Sequence, residues 1–371
     1  MLRALLFATT LAASGAAIAQ TPPVAVSAPA PAASRYAAQA TEGDFTVRDF
    51  KFASGETLPE LRLHYTTLGT PKRDAAGAIT NAVMVLHGTG GSGRQFLQPQ
   101  FADELYGPGQ PLDLAKMYVI LPDGIGHGKS SKPSDGLRMK FPAYDYDDMV
   151  EAQRRLLVDG LGVKKLRLLM GTSMGCMHGF MWGAAHPDFV EAMMPMACLP
   201  VQIAGQNRMW RSLTIDAIKA DPAWAGGDYS SQPVQGLRTA VSLLTIAGGN
   251  PLALQAQYPT RDAAEAFVRE RVARDLGSRD ANDLIYQVAA SRSYDPSATL
   301  EKITTPIAWI NSADDFINPP GLAIAEPAAK RLKNGIYRLI PATAETKGHG
   351  THTWAKFWKA DLVELLKRTE R

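Results

Sequence analysis

Four short apolar runs recur along the chain, at residues 81–86, 117–121, 166–170 and 307–310. Apart from Asn81 and Arg167, each run is continuously apolar rather than alternating, which indicates strands that are buried on both faces of a parallel sheet. Glycine or polar residues follow each run closely, as in loops at the carboxyl edge of such a sheet. Residues 146–161 space their apolar side chains three and four apart, as a helix does. The pattern predicts an α/β protein with a mostly parallel, doubly wound sheet.

Two regions depart from this alternation of strand and helix. Residues 45–68 have the pattern of half-exposed strands, with a turn at Ser54-Gly55. Residues 200–290 carry helical patterns that are interrupted at residues 248–251 by two glycines, an asparagine and a proline. We interpret residues 200–290 as a helical cap inserted into a core that residues 41–199 and 291–371 form together.

Residues 1–19 have the features of a secretory signal peptide. Arg3 supplies a basic start, residues 4–13 form a short apolar stretch, and Ala17-Ile18-Ala19 offers the small residues that a signal peptidase recognises. Residues 20–40 follow as a tether rich in proline and alanine. The sequence therefore predicts a periplasmic or secreted protein whose mature chain begins near Gln20.

Charge and cysteine content narrow the classes of partner. The chain has 39 basic and 36 acidic residues, a formal net charge of +3 and no long basic run, so we expect no nucleic-acid partner. No segment approaches the ~20 uninterrupted apolar residues of a membrane span. The two cysteines, Cys176 and Cys198, either form a disulfide or remain buried free thiols.

The most specific chemical motif is Gly-Thr-Ser-Met-Gly at residues 171–175, directly after an apolar run and before a helical stretch. A nucleophilic serine requires a sharp strand-to-helix turn that lifts its hydroxyl above the sheet, and the flanking glycines allow that turn. The N-terminus of the following helix favours developing negative charge. This arrangement is typical of the α/β-hydrolase fold and predicts Ser173 as the nucleophile.

Such a serine needs a histidine to take its proton and an acid to orient that histidine, in the chain order Ser, acid, His. Of the seven histidines, only His349 and His352 follow the last strand-end acids, Asp314 and Asp315. His349 lies between two glycines before a predicted helix at residues 354–366 and is the favoured base, with His352 as the alternate. The spacing of the two histidines is not that of a zinc helix, so we predict no metal.

The oxyanion of an acyl-transfer reaction needs two backbone donors. We expect one from the N–H of Met174 and the other from the glycine-rich loop at residues 87–93, at Thr89. Residues 124–130 resemble a nucleotide-binding P-loop, but Asp123 stands where that motif has its first glycine. The same residues fit a strand-end turn of α/β-hydrolases, so we predict no cofactor.

Over residues 50–371 the chain resembles the homoserine O-acetyltransferase family. The similar segments are residues 55–69, 81–83, 148–162, 221–237, 280–282 and 315–320. The acid loop of that family matches Asp315 and Pro319, so the resemblance favours Asp315 over Asp314. It implies an α/β-hydrolase fold and acyl chemistry carried by Ser173, Asp315 and His349.

Two positions depart from the family. Its arginine for the substrate carboxylate falls at Val241, and its aspartate for the substrate amine falls at Gly350. We therefore expect little acetylation of homoserine and measurable hydrolysis of neutral, less polar acyl esters.

The function that the sequence favours is an exported serine hydrolase that cleaves an ester, thioester or amide of a small molecule through an acyl–serine intermediate. The alternative is an acyltransferase with the same triad, in which the cap keeps water out. A non-catalytic binding protein on this scaffold is disfavoured because no member of the triad is missing. A homodimer is left open.

Overall fold

The computed structural model describes residues 33–370. The predicted signal peptide and most of the predicted tether lie outside these residues.

The four apolar runs form central strands of a sheet that has eight strands in the described part of the chain. The strands are β1 (Thr41–Lys51), β2 (Thr57–Leu68), β3 (Ala82–Leu86), β4 (Tyr118–Pro122), β5 (Leu168–Thr172), β6 (Met193–Met196), β7 (Ile307–Ser312) and β8 (Gly335–Ile340). Their order across the sheet is β1-β2-β4-β3-β5-β6-β7-β8. The pairs from β4 to β8 are parallel, and β2 is antiparallel to both β1 and β4.

The α-helices of residues 33–370 cover the faces of this sheet or lie above its carboxyl edge. They are α1 (Pro99–Leu105), α2 (Tyr146–Arg155), α3 (Met174–Ala185), α4 (Gly205–Ala220), α5 (Val234–Ala247), α6 (Pro251–Gln257), α7 (Arg261–Ser278), α8 (Ala281–Ala289), α9 (Ala325–Ala329) and α10 (Lys359–Arg368). Short 3₁₀ turns lie at Ala37–Gln39, Gly93–Leu97, Pro133–Asp135, Arg138–Lys140, Pro222–Gly227, Ser297–Lys302, Pro320–Leu322, Gly348–Thr353 and Ala355–Phe357. The helix predicted at residues 146–161 is α2 followed by a π-helical turn at Leu156–Gly160.

Both faces of the central strands are buried. Every residue of β3 is buried, and its side chains alternate between two hydrophobic clusters. Met84 packs in a cluster with Phe180 of α3, whereas Val83 packs in a second cluster with Phe101 of α1 and Leu362 of α10. A continuously apolar strand is therefore required here, because neither face meets water.

Helices α4 to α8 lie between β6 and β7 in the chain, and α4, α5, α7 and α8 share a hydrophobic core of their own. Side chains cap the N-termini of three of these helices: Asn250 caps α6, Thr260 caps α7 and Asp280 caps α8. Val241 is fully buried in this core. No helix in residues 33–370 is long and apolar enough to cross a bilayer.

Two strands escape detection in the sequence. β6 contains Pro195, which lacks an N–H and is unusual in a central strand, yet β6 lies between β5 and β7. β8 lies at the edge of the sheet, where Ile336 is 47% exposed, so its residues do not form a continuously apolar run. Because β8 intervenes, the acids Asp314 and Asp315 follow the strand before last, and not the strand that directly precedes the histidine loop as predicted.

The terminal helix begins later than predicted, at Lys359 instead of residue 354. Two 3₁₀ turns precede it, and the indole of Trp358 is fully buried against Phe101, with 5.7 Å between ring centroids. Burial of this ring holds residue 358 in a non-helical conformation, so the regular helix starts one residue later.

Candidate active site

Ser173 lies in the sharp turn between β5 and α3. Its φ of 55° and ψ of −109° are strained values for a residue with a side chain. A Cβ at Gly171 would collide with the carbonyl oxygen of Gly175, and a Cβ at Gly175 would collide with the carbonyl oxygen of Leu86. Both glycines are therefore needed for strand and helix to approach closely enough to form the turn.

His349 contacts both other residues of the predicted triad. Its Nε2 lies 2.8 Å from Ser173 Oγ, and its Nδ1 lies 2.9 Å from Asp315 Oδ2. With Nδ1 protonated, the imidazole donates to the carboxylate and accepts from the hydroxyl. The three residues come from the β5–α3 turn, the loop after β7 and the 3₁₀ turn at Gly348–Thr353.

Asp315 is buried and surrounded by donors. Its Oδ1 accepts the amides of Ile317, at 2.8 Å, and Asn318, at 3.2 Å, while Oδ2 accepts Nδ2 of Asn318 at 3.0 Å. Burial alone raises the pKa of this carboxyl, but the electrostatic attraction of His349 and these hydrogen bonds outweigh burial and lower the pKa below its ordinary value. Asp315 is therefore an anion at neutral pH.

Asp314 contacts the histidine loop instead of a histidine ring. Its carboxylate accepts hydrogen bonds from Asn250 Nδ2, Thr346 Oγ1 at 2.7 Å, the amide of Gly348 at 3.1 Å and the hydroxyl of Ser312. In the described part of the chain, no hydrogen bond joins it to an imidazole. Asp314 thus fixes the backbone one residue before His349.

His352 packs edge to face on His349, with ring centroids 5.3 Å apart. Its Nδ1 is buried and has no hydrogen-bond partner among residues 33–370. Burial first, and the neighbouring His349 second, lower the pKa of His352 to about 3, although Asp315 opposes the shift. His352 is therefore a neutral ring at physiological pH that supports His349 from the side.

The two predicted oxyanion donors belong to segments next to Ser173. Met174 is the first residue of α3, and Thr89 belongs to the loop after β3. A Cβ at Gly88 would lie 3.2 Å from Ser173 Cβ, so this loop passes directly beside the serine. Neither the amide of Met174 nor that of Thr89 donates to another described residue. Both amides are free to bind an oxygen of a substrate.

The residues that resemble a P-loop wrap around their own aspartate. The carboxylate of Asp123 accepts the amides of Gly93, at 2.8 Å, and Lys129, at 2.9 Å, and its carbonyl accepts the hydroxyl of Ser130. The amide donors that a phosphate would need are partly occupied, and the turn instead ties the loop after β4 to the loop after β3.

A cavity of about 200 Å³ opens beside Ser173 and His349. Its lining is mostly apolar and includes Met177, Leu199, Phe316 and Leu322. Cys198 also lines it and forms a disulfide with Cys176 of α3, which resolves the alternative that the sequence left open. No aspartate or glutamate is among the described residues that line this cavity.

The cavity contains one charged residue that the sequence analysis missed, Arg211 of α4. Arg211, Thr214 and Ile218 are all buried, and their spacing of three and four residues defines the inward face of α4. An arginine on the apolar face of a cap helix was the available indication in the sequence. Val241 and Gly350 do not line the cavity.

Comparison with known proteins places this geometry in a family. Residues 81–350 match the family described as alpha/beta hydrolase fold. A probable acyltransferase from Methanothermobacter thermautotrophicus is 31% identical over 283 residues, which cover 75% of this chain and 84% of that protein. A homoserine O-acetyltransferase from Pelobacter propionicus is 30% identical over 316 residues, which cover 76% of this chain and 84% of that protein.

Solved structures agree on the fold. An acetylester hydrolase from Corynebacterium glutamicum superposes with a TM-score of 0.77 at 21% identity, over 88% of this chain and 96% of that chain. The predicted fold and the predicted resemblance are both confirmed. The chain belongs to the α/β-hydrolase superfamily and, within it, to the homoserine O-acetyltransferase-like enzymes.

Proposed function

We propose that this protein is an exported serine hydrolase that cleaves the ester bond of a small molecule through an acyl–serine intermediate. The observation that carries the proposal is the pair of contacts at His349, 2.8 Å from Ser173 Oγ on one side and 2.9 Å from Asp315 on the other. A histidine held between a serine hydroxyl and a buried carboxylate is equipped to activate that hydroxyl.

In the first step His349 Nε2 accepts the proton of Ser173 as Oγ attacks the ester carbon. The imidazolium that forms is stabilised by the anionic Asp315. The carbonyl oxygen becomes an oxyanion between the amides of Met174 and Thr89, which have no competing acceptor among the described residues. When the tetrahedral intermediate collapses, His349 returns the proton to the leaving alcohol.

In the second step an acceptor attacks the acyl–serine. Water as acceptor, deprotonated by His349, releases the acid and restores Ser173. An alcohol as acceptor gives an acyltransferase with the same triad. The 30% identity to a homoserine O-acetyltransferase favours this second candidate, so acceptor choice needs a direct test.

A fluorophosphonate probe tests the shared chemistry of both candidates. We expect the probe to label the enzyme covalently at Ser173, as located by peptide mass spectrometry. We also expect the enzyme to hydrolyse simple acyl esters and to lose this activity once it is labelled. Failure to label, together with failure to hydrolyse any ester, would contradict a serine-based mechanism.

Free homoserine is expected to be a poor acyl acceptor from acetyl-CoA. Gly350 provides no carboxylate for its ammonium group, and no acid lines the described cavity, where Arg211 would repel a cation. A missing charge-assisted hydrogen bond weakens binding by about 10- to 100-fold. CoA release with and without homoserine, compared with ester hydrolysis, measures this. Efficient release that requires both homoserine and Ser173 would make the chain an acetyltransferase.

Replacement of Asp315 by Asn is expected to lower kcat/KM by roughly 10⁴-fold, as in serine proteases, because the amide favours the wrong imidazole tautomer. Asp314→Asn is the matched control, one residue away. It removes a charge that holds Thr346 and Gly348 but leaves His349 bonded to Asp315. We expect Asp314→Asn to remain much closer to the original activity. The reverse order of the two variants would reassign the orienting acid.

Export is part of the proposal and rests on the basic start, the short apolar stretch and the Ala-x-Ala site within residues 1–19. The disulfide between Cys176 and Cys198 supports it, since such bonds persist in oxidising compartments. Mass spectrometry of protein recovered from periplasm or medium should give an N-terminus at or near Gln20. An intact Met1 on protein in the cytoplasm would refute export.

A further inference from the structure

Arg211 is a buried cation at the candidate active site. Its side chain lines the same cavity as Ser173 and His349, and the residue is only 2% exposed. Two neutral groups hold it: Nε donates to Asn207 Oδ1 at 2.9 Å, and Nη1 donates to Ser291 Oγ at 3.0 Å. The hydroxyl of Tyr146 lies beside the same guanidinium and interacts with it as a third neutral group.

No acid of the described chain compensates this charge. None of the aspartates or glutamates in residues 33–370 pairs with Arg211, whereas Arg271 of the same cap pairs with Asp275 at 2.9 Å. The aromatic ring of Trp210 lies 4.5 Å from the guanidinium carbon. The nearby hydroxyl of Tyr146 has a pKa raised by burial, so it brings no negative charge.

Removing a guanidinium from water without a counter-ion is unfavourable, and a guanidinium does not escape by losing its proton. An uncharged side chain at position 211 would complete the same apolar wall at lower cost. The retained charge therefore points to an anion that enters this cavity from outside the chain.

We propose that Arg211 binds a carboxylate of the substrate, so that the preferred substrates are small esters carrying one carboxylate besides the scissile bond. The planar fork of an arginine matches the two oxygens of a carboxylate. A small cavity with one arginine and a mostly apolar lining suits a monoanion better than a phosphate dianion. This inference rests on the proposed ester hydrolysis and identifies its substrate class.

The inference revises one expectation from the sequence. Neutral esters were expected because Val241 and Gly350 replace the arginine and the aspartate of the resembled family. Val241 packs inside the cap. The structure instead places a cationic residue of α4, Arg211, in the same cavity as Ser173. Neutral esters should still react, but more slowly than their anionic counterparts.

Two pairs of esters test the proposal, each with one ester bond and each pair differing only in a carboxylate or a neutral carboxamide. Monomethyl glutarate and its terminal carboxamide place the group on the acyl side. 3-Acetoxypropanoate and 3-acetoxypropanamide place it on the alcohol side. The ratio of kcat/KM within each pair is measured for the original enzyme and for Arg211→Gln, Arg211→Lys and Arg238→Gln. Arg238, on the exposed side of α5, is the control for loss of one charge from the cap.

For at least one pair, we expect the original enzyme to favour the carboxylate by about 10- to 100-fold. Arg211→Gln should bring that ratio close to one, Arg211→Lys should retain part of it, and Arg238→Gln should leave it unchanged. Because each ratio is internal to one preparation, partial unfolding of a variant does not alter it. A ratio near one in the original enzyme, or a preference that survives Arg211→Gln, would overturn the proposal while leaving ester hydrolysis intact.

A binding measurement separates this proposal from the hydrolase itself. If the original enzyme cleaves no ester, the proposed function fails, and glutarate binding to Ser173→Ala by calorimetry still tests Arg211. Weaker binding in Ser173→Ala/Arg211→Gln by about 10-fold or more supports a carboxylate site. Equal binding in the two proteins, or no binding in either, contradicts it.

Discussion

Replacing Ser173 by alanine is expected to lower ester turnover by roughly 10⁶-fold, the loss seen when a serine protease loses its nucleophile. The hydroxyl is the atom that forms the acyl bond, and Oγ lies 2.8 Å from the base in the structure. Residual hydrolysis would come from the oxyanion donors at Met174 and Thr89, which the substitution leaves in place.

The fold should survive this change, because the turn depends on Gly171 and Gly175 and not on the hydroxyl. Circular dichroism and thermal unfolding check this, and Ser212→Ala, on the exposed side of α4, controls for loss of a serine hydroxyl. Turnover of Ser173→Ala within tenfold of the original enzyme would refute the assignment of the nucleophile.

His349→Ala is expected to be as damaging as the serine substitution, since the two groups act as one unit. The same reasoning predicts that Ser173→Ala/His349→Ala is no worse than either single variant. His352→Ala should reduce kcat/KM by about tenfold or less, because it removes a ring contact worth about 0.5–1.5 kcal/mol and no proton acceptor. Steady-state kinetics of these four variants and of the original enzyme on one ester measures all of this.

Two outcomes would contradict the assignment of the base. Greater loss in His352→Ala than in His349→Ala would transfer the role to the second histidine. Multiplicative losses in the double variant would mean that Ser173 and His349 act independently, in conflict with the contact between them.

The sequence predicts the strands at the centre of the sheet because burial on both faces requires apolar side chains throughout. β3, β4 and β5 are buried throughout, and all three were recognised as apolar runs. β8 was missed because an edge strand tolerates exposed side chains such as Ile336. β6 was missed because Pro195 argues against a central strand.

The candidate site also has parts that the sequence predicts and parts that it does not. The turn at Ser173 depends on local backbone sterics, so a five-residue motif is enough to predict it. Both Asp314 and Asp315 contact the histidine loop, and they differ in which carboxylate reaches the ring of His349. That contact joins residues distant in sequence, and only the family resemblance favoured one acid. The placement of Arg211 in the cavity depends on how α4 packs against α5 and α8. The buried face of α4 was visible as periodicity in the sequence, but only the structure reveals that no acid among residues 33–370 pairs with Arg211.

The stability of the active site depends on the redox conditions in which the disulfide forms. Cys176 lies in the first turn of the helix that begins after the nucleophile, and Cys198 lies 22 residues later in the wall of the cavity. Closing a loop of this length lowers the conformational entropy of the unfolded chain, which stabilises the folded state by about 3 kcal/mol. A chain retained in a reducing compartment lacks that restraint on both the helix and the cavity wall. The helix that carries the nucleophile's turn and the wall of the cavity therefore gain this restraint only under oxidising conditions.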